Sequence, residues 1–321
     1  MKSLILPALL VTLALSPAAP ALAADTSSAP QAWAVVPASA DGPDGRGSIE
    51  HVVEPGDTYE DRVAVRNLGA TPLTVELSVH GAAQTTENDF ELTAASDPTA
   101  RLASWAELER ERVSVEPGEA VVVLVRFEVP ADAEPGDHAG GIVALADGDA
   151  DADVQYQVGT RVHLRVAGPV EPGLRLDDAR ASVPWTLLPF ARLEAAASAT
   201  VVNTGNVRLA PGVRVEARAL FGLWNTSFGS AEVGELLPDG ARSVAGALAG
   251  VPQLGPIWVT FSVPEATSIG QDVSGMLEVE SVTVVVWAVP WTLIGVALVV
   301  GGAGAVAVRN LRLRSAAAAA A

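Results

Sequence analysis

The sequence predicts an all-β protein: two immunoglobulin-like β-sandwich domains followed by a single C-terminal transmembrane helix. Three observations carry this expectation. Apolar and polar residues alternate with period two over most of the chain, Pro-Gly turns punctuate the alternating runs, and the stretch 282–308 contains no charged residue.

The N-terminal element reads as a cleavable signal peptide, 1–23. Lys2 precedes an apolar run from Leu4 to Leu15, Pro17 and Pro20 interrupt it, and Ala21-Leu22-Ala23 offers the small-x-small site a signal peptidase needs. That run is too short to span a bilayer. A Pro/Ala/Ser-rich linker occupies 24–34.

The first sandwich is expected over 35–168. Val63 and Val65 face one way, as do Val75, Leu77 and Val79, with Thr74, Glu76, Ser78 and His80 opposite. Val154, Tyr156, Val158, Val162, Leu164 and Val166 keep one phase against Asp153, Gln155, Gln157, Arg161, His163 and Arg165. Glu54-Pro55-Gly56-Asp57, Glu116-Pro117-Gly118-Glu119 and Glu134-Pro135-Gly136-Asp137 each place Pro and Gly as a type II turn requires.

A second sandwich is expected over 169–285, with strands at Leu174 and Leu176, Ala199 to Val202, Val213 to Ala217, Ile257 to Val263, and from Met276 to about Val285. An internal echo supports two units of one architecture. Val63 to Leu77, with Asn67-Leu68-Gly69 between strands, is similar to Thr200 to Val215, with Asn203-Thr204-Gly205-Asn206.

The transmembrane helix is expected over 287–308, with Pro290 in the first turn, where its missing N–H costs nothing. Trp287 and Trp291 would lie one turn apart in the interfacial belt. Arg309, Arg312 and Arg314 in the tail 309–321 would hold the C-terminus inside the cell membrane, leaving the ectodomain extracellular.

Composition narrows function. Of the 20 basic residues, Lys2, Arg309, Arg312 and Arg314 lie outside the ectodomain, leaving sixteen against 38 acidic ones, a net charge of −22. Such a surface repels phosphate backbones, so no nucleic acid is expected as a partner. With no cysteine, stability rests on core burial, and thiol chemistry is excluded.

Residues that suggest chemistry resolve into structure. Asp147, Asp149, Asp151 and Asp153 alternate, but a calcium loop begun at Asp147 would need Gly and Glu where Ala152 and Val158 stand, so a solvated hairpin tip is expected. His51, His80, His138 and His163 lack metal-ligand spacing; His138 is expected to make a structural hydrogen bond, and His80 and His163 to face solvent. No nucleophile, base and orienting group are recognisable together, so no enzyme, cofactor, metal or catalytic site is predicted. Trp185-Thr186-Leu187 and Trp291-Thr292-Leu293 both spell Trp-x-Leu, at a frequency this composition produces by chance. Trp185 and Phe190 are expected to cover a sandwich edge.

The region Val35 to Gly168 resembles the peptidoglycan-binding domain of the WxL-interacting protein family of Gram-positive cell surfaces. The matching residues are Glu54-Pro55-Gly56, Asn67-Leu68-Gly69, Trp105-Ala106-Glu107-Leu108, Val115-Glu116-Pro117-Gly118-Glu119, Val129 to Ile142, and Gly159-Thr160-Arg161-Val162. The resemblance implies envelope attachment and adhesion, with peptidoglycan or another cell-wall polymer as partner, or a WxL-type surface protein. The alternative expectation is a structural spacer or brace within a membrane-associated complex. The sequence does not single out binding residues.

Overall fold

In the computed structural model the described residues are 32–86, 90–93, 101–146, 157–188, 191–230, 233–269, 271–279 and 281–319. The signal peptide, nearly all of the linker, the Asp147 to Asp153 loop, Val154, Tyr156 and Phe190 lie outside them.

The alternating segments form strands with one face on a core. In the first unit these are β1 (Trp33–Ser39), β2 (Gly42–Pro43), β3 (Ser48–Val53), β4 (Thr58–Asn67), β5 (Leu73–Ala83) and β6 (Glu91–Thr93). A short helix α1 (Arg101–Trp105) follows, then β7 (Ala106–Leu108), β8 (Arg112–Val115), β9 (Ala120–Glu128), β10 (Gly136–Ala146) and β11 (Gln157–Val166). One sheet has the order β2-β1-β4-β9-β7; the other is β3-β11-β10-β5-β6, with β8 also on β5. Between them Ile49, Val63, Leu77, Phe127, Ile142 and Leu164 are fully buried. Each such Leu, Ile or Phe contributes roughly 2–3 kcal/mol by leaving water.

The second unit contains β12 (Leu174–Ser182), β13 (Arg192–Asn203), β14 (Ala210–Ala219), β15 (Trp224–Ser230), β16 (Ala241–Pro252), β17 (Gly255–Ser268), β18 (Gln271–Asp272) and β19 (Val282–Ala288). Sheet β12-β13-β16 packs on sheet β15-β14-β17-β18, in which β19 also pairs with β17. Leu209, Leu236, Leu248, Ile257 and Phe261 fill this core. Strand β13 starts well before Ala199, because Leu193, Ala195, Ala197 and Ala199 all point inward. Alanine's low strand propensity hides this run in the sequence.

Three boundaries differ from expectation. Strand β1 opens at Trp33, inside the stretch 24–34 expected as linker, because Trp33 and Ala34 pair with Asn67 and Arg66 of β4. Met276 sits in a single helical turn, and the last strand begins at Val282. That strand continues to Ala288, so Trp287 pairs with Pro256 inside the second sandwich rather than opening the helix. Ladder hydrogen bonds to β17 and the inward-facing Ala288 hold this segment extended. The helix α2 (Trp291–Ala319) follows after two residues, and its segment Trp291–Arg312 has mean hydropathy 2.1, with none of it buried. By length and composition it is able to cross a membrane.

Candidate functional site: the cleft between the sandwiches

The two sandwiches meet where the start of β10 abuts the β13–β14 connection. Two of the three Pro-Gly turns close as expected, with Asp57 N–H donating to the Glu54 carbonyl at 3.1 Å and Glu119 N–H to the Glu116 carbonyl at 3.1 Å. The third does not. Gly136 has φ +126°, and the Asp137 N–H donates across the domain boundary to the Asn206 carbonyl at 2.8 Å. A Cβ on Gly136 would collide with that carbonyl, so only glycine permits the approach.

Asn206 completes the joint from its side. Its Nδ2 donates to the carbonyls of Pro135 (3.1 Å) and Pro169 (2.9 Å), and its Oδ1 accepts the Glu171 N–H at 2.8 Å. Gln84 does similar work on β5's side, donating to the Glu235 carbonyl (3.0 Å) and accepting the Leu237 N–H (2.9 Å).

Charged groups of both sandwiches are buried at this joint. Asp137 accepts two hydrogen bonds from Arg165, at 2.8 and 2.5 Å, and the Arg208 backbone N–H at 2.6 Å. The Arg208 side chain, 4% exposed, lies 3.7 Å from Asp137, 3.7 Å from Glu50 and 3.3 Å from Glu235. Arg165 also reaches Ser268 Oγ at 3.1 Å. Buried ion pairs of this kind add little net stability, but they specify one geometry, because breaking them strands a charge. The joint therefore fixes the angle between the sandwiches.

Beside it opens a cleft of about 580 Å3, whose lining includes Gln84, Arg101, Glu134, His138, Glu171, Thr204, Asn206 and Asp239. Arg101 and Glu134 form an ion pair at its edge, which holds the Glu134 carboxyl below its usual range. His138 Nε2–H donates to the Glu134 carbonyl at 2.9 Å, and its ring packs 4.6 Å from that of Trp105. Burial lowers the pKa of His138, disfavouring its charged form.

The other sequence-predicted residues are scattered. His51 stacks on Tyr59 at 4.0 Å. His80 donates Nδ1–H to the Thr93 carbonyl at 3.1 Å and meets Ser78 Oγ at 2.9 Å. His163, expected in solvent, is buried. The outer face of β11 is covered by the joint and by Phe90, whose ring meets His163 edge-on, and burial with the nearby Arg208 charge lowers its pKa to about 4. Trp185, expected to cover a sandwich edge, is 70% exposed. Among the described residues no three His, Asp or Glu side chains are placed to hold a metal.

No family model matches the chain, and no curated protein matches it. Solved structures with similar folds include the class 5 fimbrial chaperone CfaA, at 8% identity over 74% of this chain and 95% of that one, with a TM-score of 0.35. The E. coli chaperone DraB shows 10% identity over 79% and 96%, also at 0.35. A chain of the CsuC–CsuE chaperone and tip adhesion subunit pre-assembly complex of Acinetobacter baumannii shows 12% identity over 74% and 94%, at 0.36. At these values the likeness extends to the sandwich fold and no further.

Proposed function

We propose that this chain is a non-enzymatic, membrane-anchored protein of a Gram-positive cell surface whose ectodomain binds peptidoglycan or a cell-envelope partner protein. One observation supports this above the others: an interdomain cleft of about 580 Å3 lies beside the buried Arg165–Asp137–Arg208 joint, whose ion pairs specify one geometry for its walls. A preformed cleft saves the ordering cost that weakens binding by flexible surfaces. Its amide, hydroxyl and carboxylate lining suits a ligand rich in hydroxyl and amide groups, as a glycan-peptide wall polymer is. The resemblance of 35–168 to the WxL-interacting family points to the same class of ligand. His138 is committed to a backbone carbonyl and Glu134 to Arg101, so neither stands as a base beside a nucleophile.

The same stiff joint favours a second reading, in which the ectodomain is a brace within a surface complex. Co-sedimentation with insoluble peptidoglycan separates the two. The soluble piece must run from Ala24 to Val289, because stopping at Ser281 removes β19 from its sheet. Binding is expected to persist in moderate salt, since an ectodomain of −22 is not drawn to anionic polymers by charge. A protein that stays in the supernatant at every salt concentration refutes wall binding and leaves the brace.

Anchoring is supported by the apolar segment Trp291–Arg312 and by Arg309, Arg312 and Arg314 at its end. Their charge favours a cytoplasmic C-terminus and an extracellular ectodomain. Protease added to intact protoplasts is then expected to digest the sandwiches and spare the segment after Val308.

A further inference from the structure

We propose that the end of the second sandwich from which α2 leaves is a lipid-docking surface, whose loops seat apolar side chains in the interfacial layer of the leaflet that α2 enters. The proposal rests on the membrane anchoring of α2 read above.

Strand register places four connections at this end. Ala219 pairs with Ile257, and Ile257 pairs with Val286, so the β14–β15 turn, the start of β17 and the end of β19 lie side by side. Arg192 pairs with Pro252, which brings the β12–β13 loop to the same end. Gln253 ties the group together: its Nε2 donates to the carbonyls of Thr186 and Val289, both at 2.9 Å, linking the β12–β13 loop to the entrance of α2.

These connections expose large apolar side chains. Phe221 is 94% exposed, Leu223 89%, Leu188 69% and Trp287 65%, in addition to Trp185. Leu220 and Phe221 both have positive φ, 52° and 57°, a conformation that costs free energy in non-glycine residues and here aims Phe221 outward. Five of the seven tryptophans, at 185, 224, 258, 287 and 291, fall at this end.

Charge identifies the occupant. In an ectodomain of net −22, the segments 183–191, 219–230, 243–264 and 281–308 contain no charged residue. Arg192 stands at the rim, a position from which a long cationic side chain can snorkel toward lipid headgroups, and Arg218 beside it pairs with Glu216 at 3.2 Å. Distance points the same way. Only Val289 and Pro290 separate β19 from α2, so Ala288 and Trp291 are at most about 11 Å apart at the extended-chain limit. Once α2 is inserted, the exposed side chains are held at the depth of the interfacial layer, where Trp and other aromatic residues concentrate. Lacking a basic patch, the surface needs no anionic lipid. The joint with the first sandwich lies at the opposite end, so docking would present the cleft away from the membrane.

The absence of native cysteine makes the test clean. Full-length Leu188→Cys, Phe221→Cys, Val299→Cys and Glu60→Cys are labelled with an environment-sensitive fluorophore and reconstituted in phosphatidylcholine vesicles carrying shallow or deep lipid-borne quenchers. Labels at 188 and 221 are expected to emit as in apolar surroundings and to lose at least about half their emission to the shallow quencher, equally at low and high salt. The label at 299 should respond to the deep quencher, and that at 60 to neither. Water-like emission at 188 and 221 with quenching at 299 overturns the docking surface while the span stands. Quenching at 188 and 221 without quenching at 299 sustains docking and refutes the span. Apolar emission at 188 and 221 that no lipid quencher reaches overturns the proposal in favour of a second copy or another protein. No quenching at any position refutes both readings.

Discussion

Asn67 and Asn203 hold equivalent positions in the two sandwiches and make the same hydrogen bonds. Each ends a strand, and each Nδ2 donates to the carbonyl four residues on, Thr71 or Val207, both at 2.8 Å. Each also donates to a carbonyl brought from a distant segment, Val115 at 2.9 Å or Leu236 at 3.1 Å. Each Oδ1 accepts the N–H two residues on, Gly69 or Gly205. The asparagine thus replaces ladder bonds at a corner where the chain leaves one sheet. Because both side chains are buried, Asn67→Ala and Asn203→Ala should each destabilise their sandwich by about 2–3 kcal/mol, leaving backbone groups without partners. Urea unfolding of the ectodomain checks this; a loss below about 0.5 kcal/mol would show that water takes over the bonds.

Removing one member of the joint should cost more than the joint contributes. Arg208→Ala leaves Asp137 with Arg165 as its remaining cation and removes the cation that Glu50 and Glu235 share, so the domains should uncouple. The expected penalty is about 3–5 kcal/mol at the interface, read as two separate thermal transitions in place of one. A single unshifted transition would contradict the coupling.

Gly136→Ala tests the joint without touching a charge. The new Cβ meets the Asn206 carbonyl, so the β10 and β13–β14 segments must separate. Small-angle scattering should show a larger radius of gyration than the wild type, while far-UV circular dichroism stays the same. An unchanged radius would mean that the contact yields without moving the domains.

The joint should also weaken in acid through His163. Its folded-state pKa, about 4, lies below the ordinary 6.5, so the unfolded chain binds the proton more tightly. Its effect on stability is absent above about pH 6.5 and grows as pH falls toward 4, reaching about 3 kcal/mol of destabilisation. His163→Phe should flatten that slope between pH 6.5 and 4.5 in urea titrations. An NMR titration of His163 near its ordinary value would contradict the burial.

The asparagine echo shows what was legible in the sequence. Period-two alternation gives each strand one buried face, and Asn-x-Gly corners repeat because both sandwiches turn in the same way, so two units of one architecture can be read from residues alone. The joint was not legible for the opposite reason. It uses the outward face of β11, where His163 and Arg165 sit at positions that alternation assigns to water, and it covers them with Arg208 from a loop 43 positions beyond Arg165. Arg208 does interrupt an apolar stretch beside Val207 and Leu209, which is a signal, but nothing in sequence names Asp137 as its partner. The boundary at Trp287 is not legible because an uncharged run does not distinguish a half-exposed strand from the start of a span.

Whether the cleft is where the ectodomain meets the envelope is tested most directly by filling it. Thr204 is exposed in the lining, so Thr204→Trp adds bulk to the cleft without disturbing a core. Binding of the Ala24 to Val289 ectodomain to insoluble peptidoglycan is measured for both proteins at matched thermal stability. Saturable binding by the wild type, weakened at least about ten-fold by Thr204→Trp, is the expected result, equivalent to a loss of about 1.4 kcal/mol. Equal binding by the two proteins would contradict the assignment of the cleft.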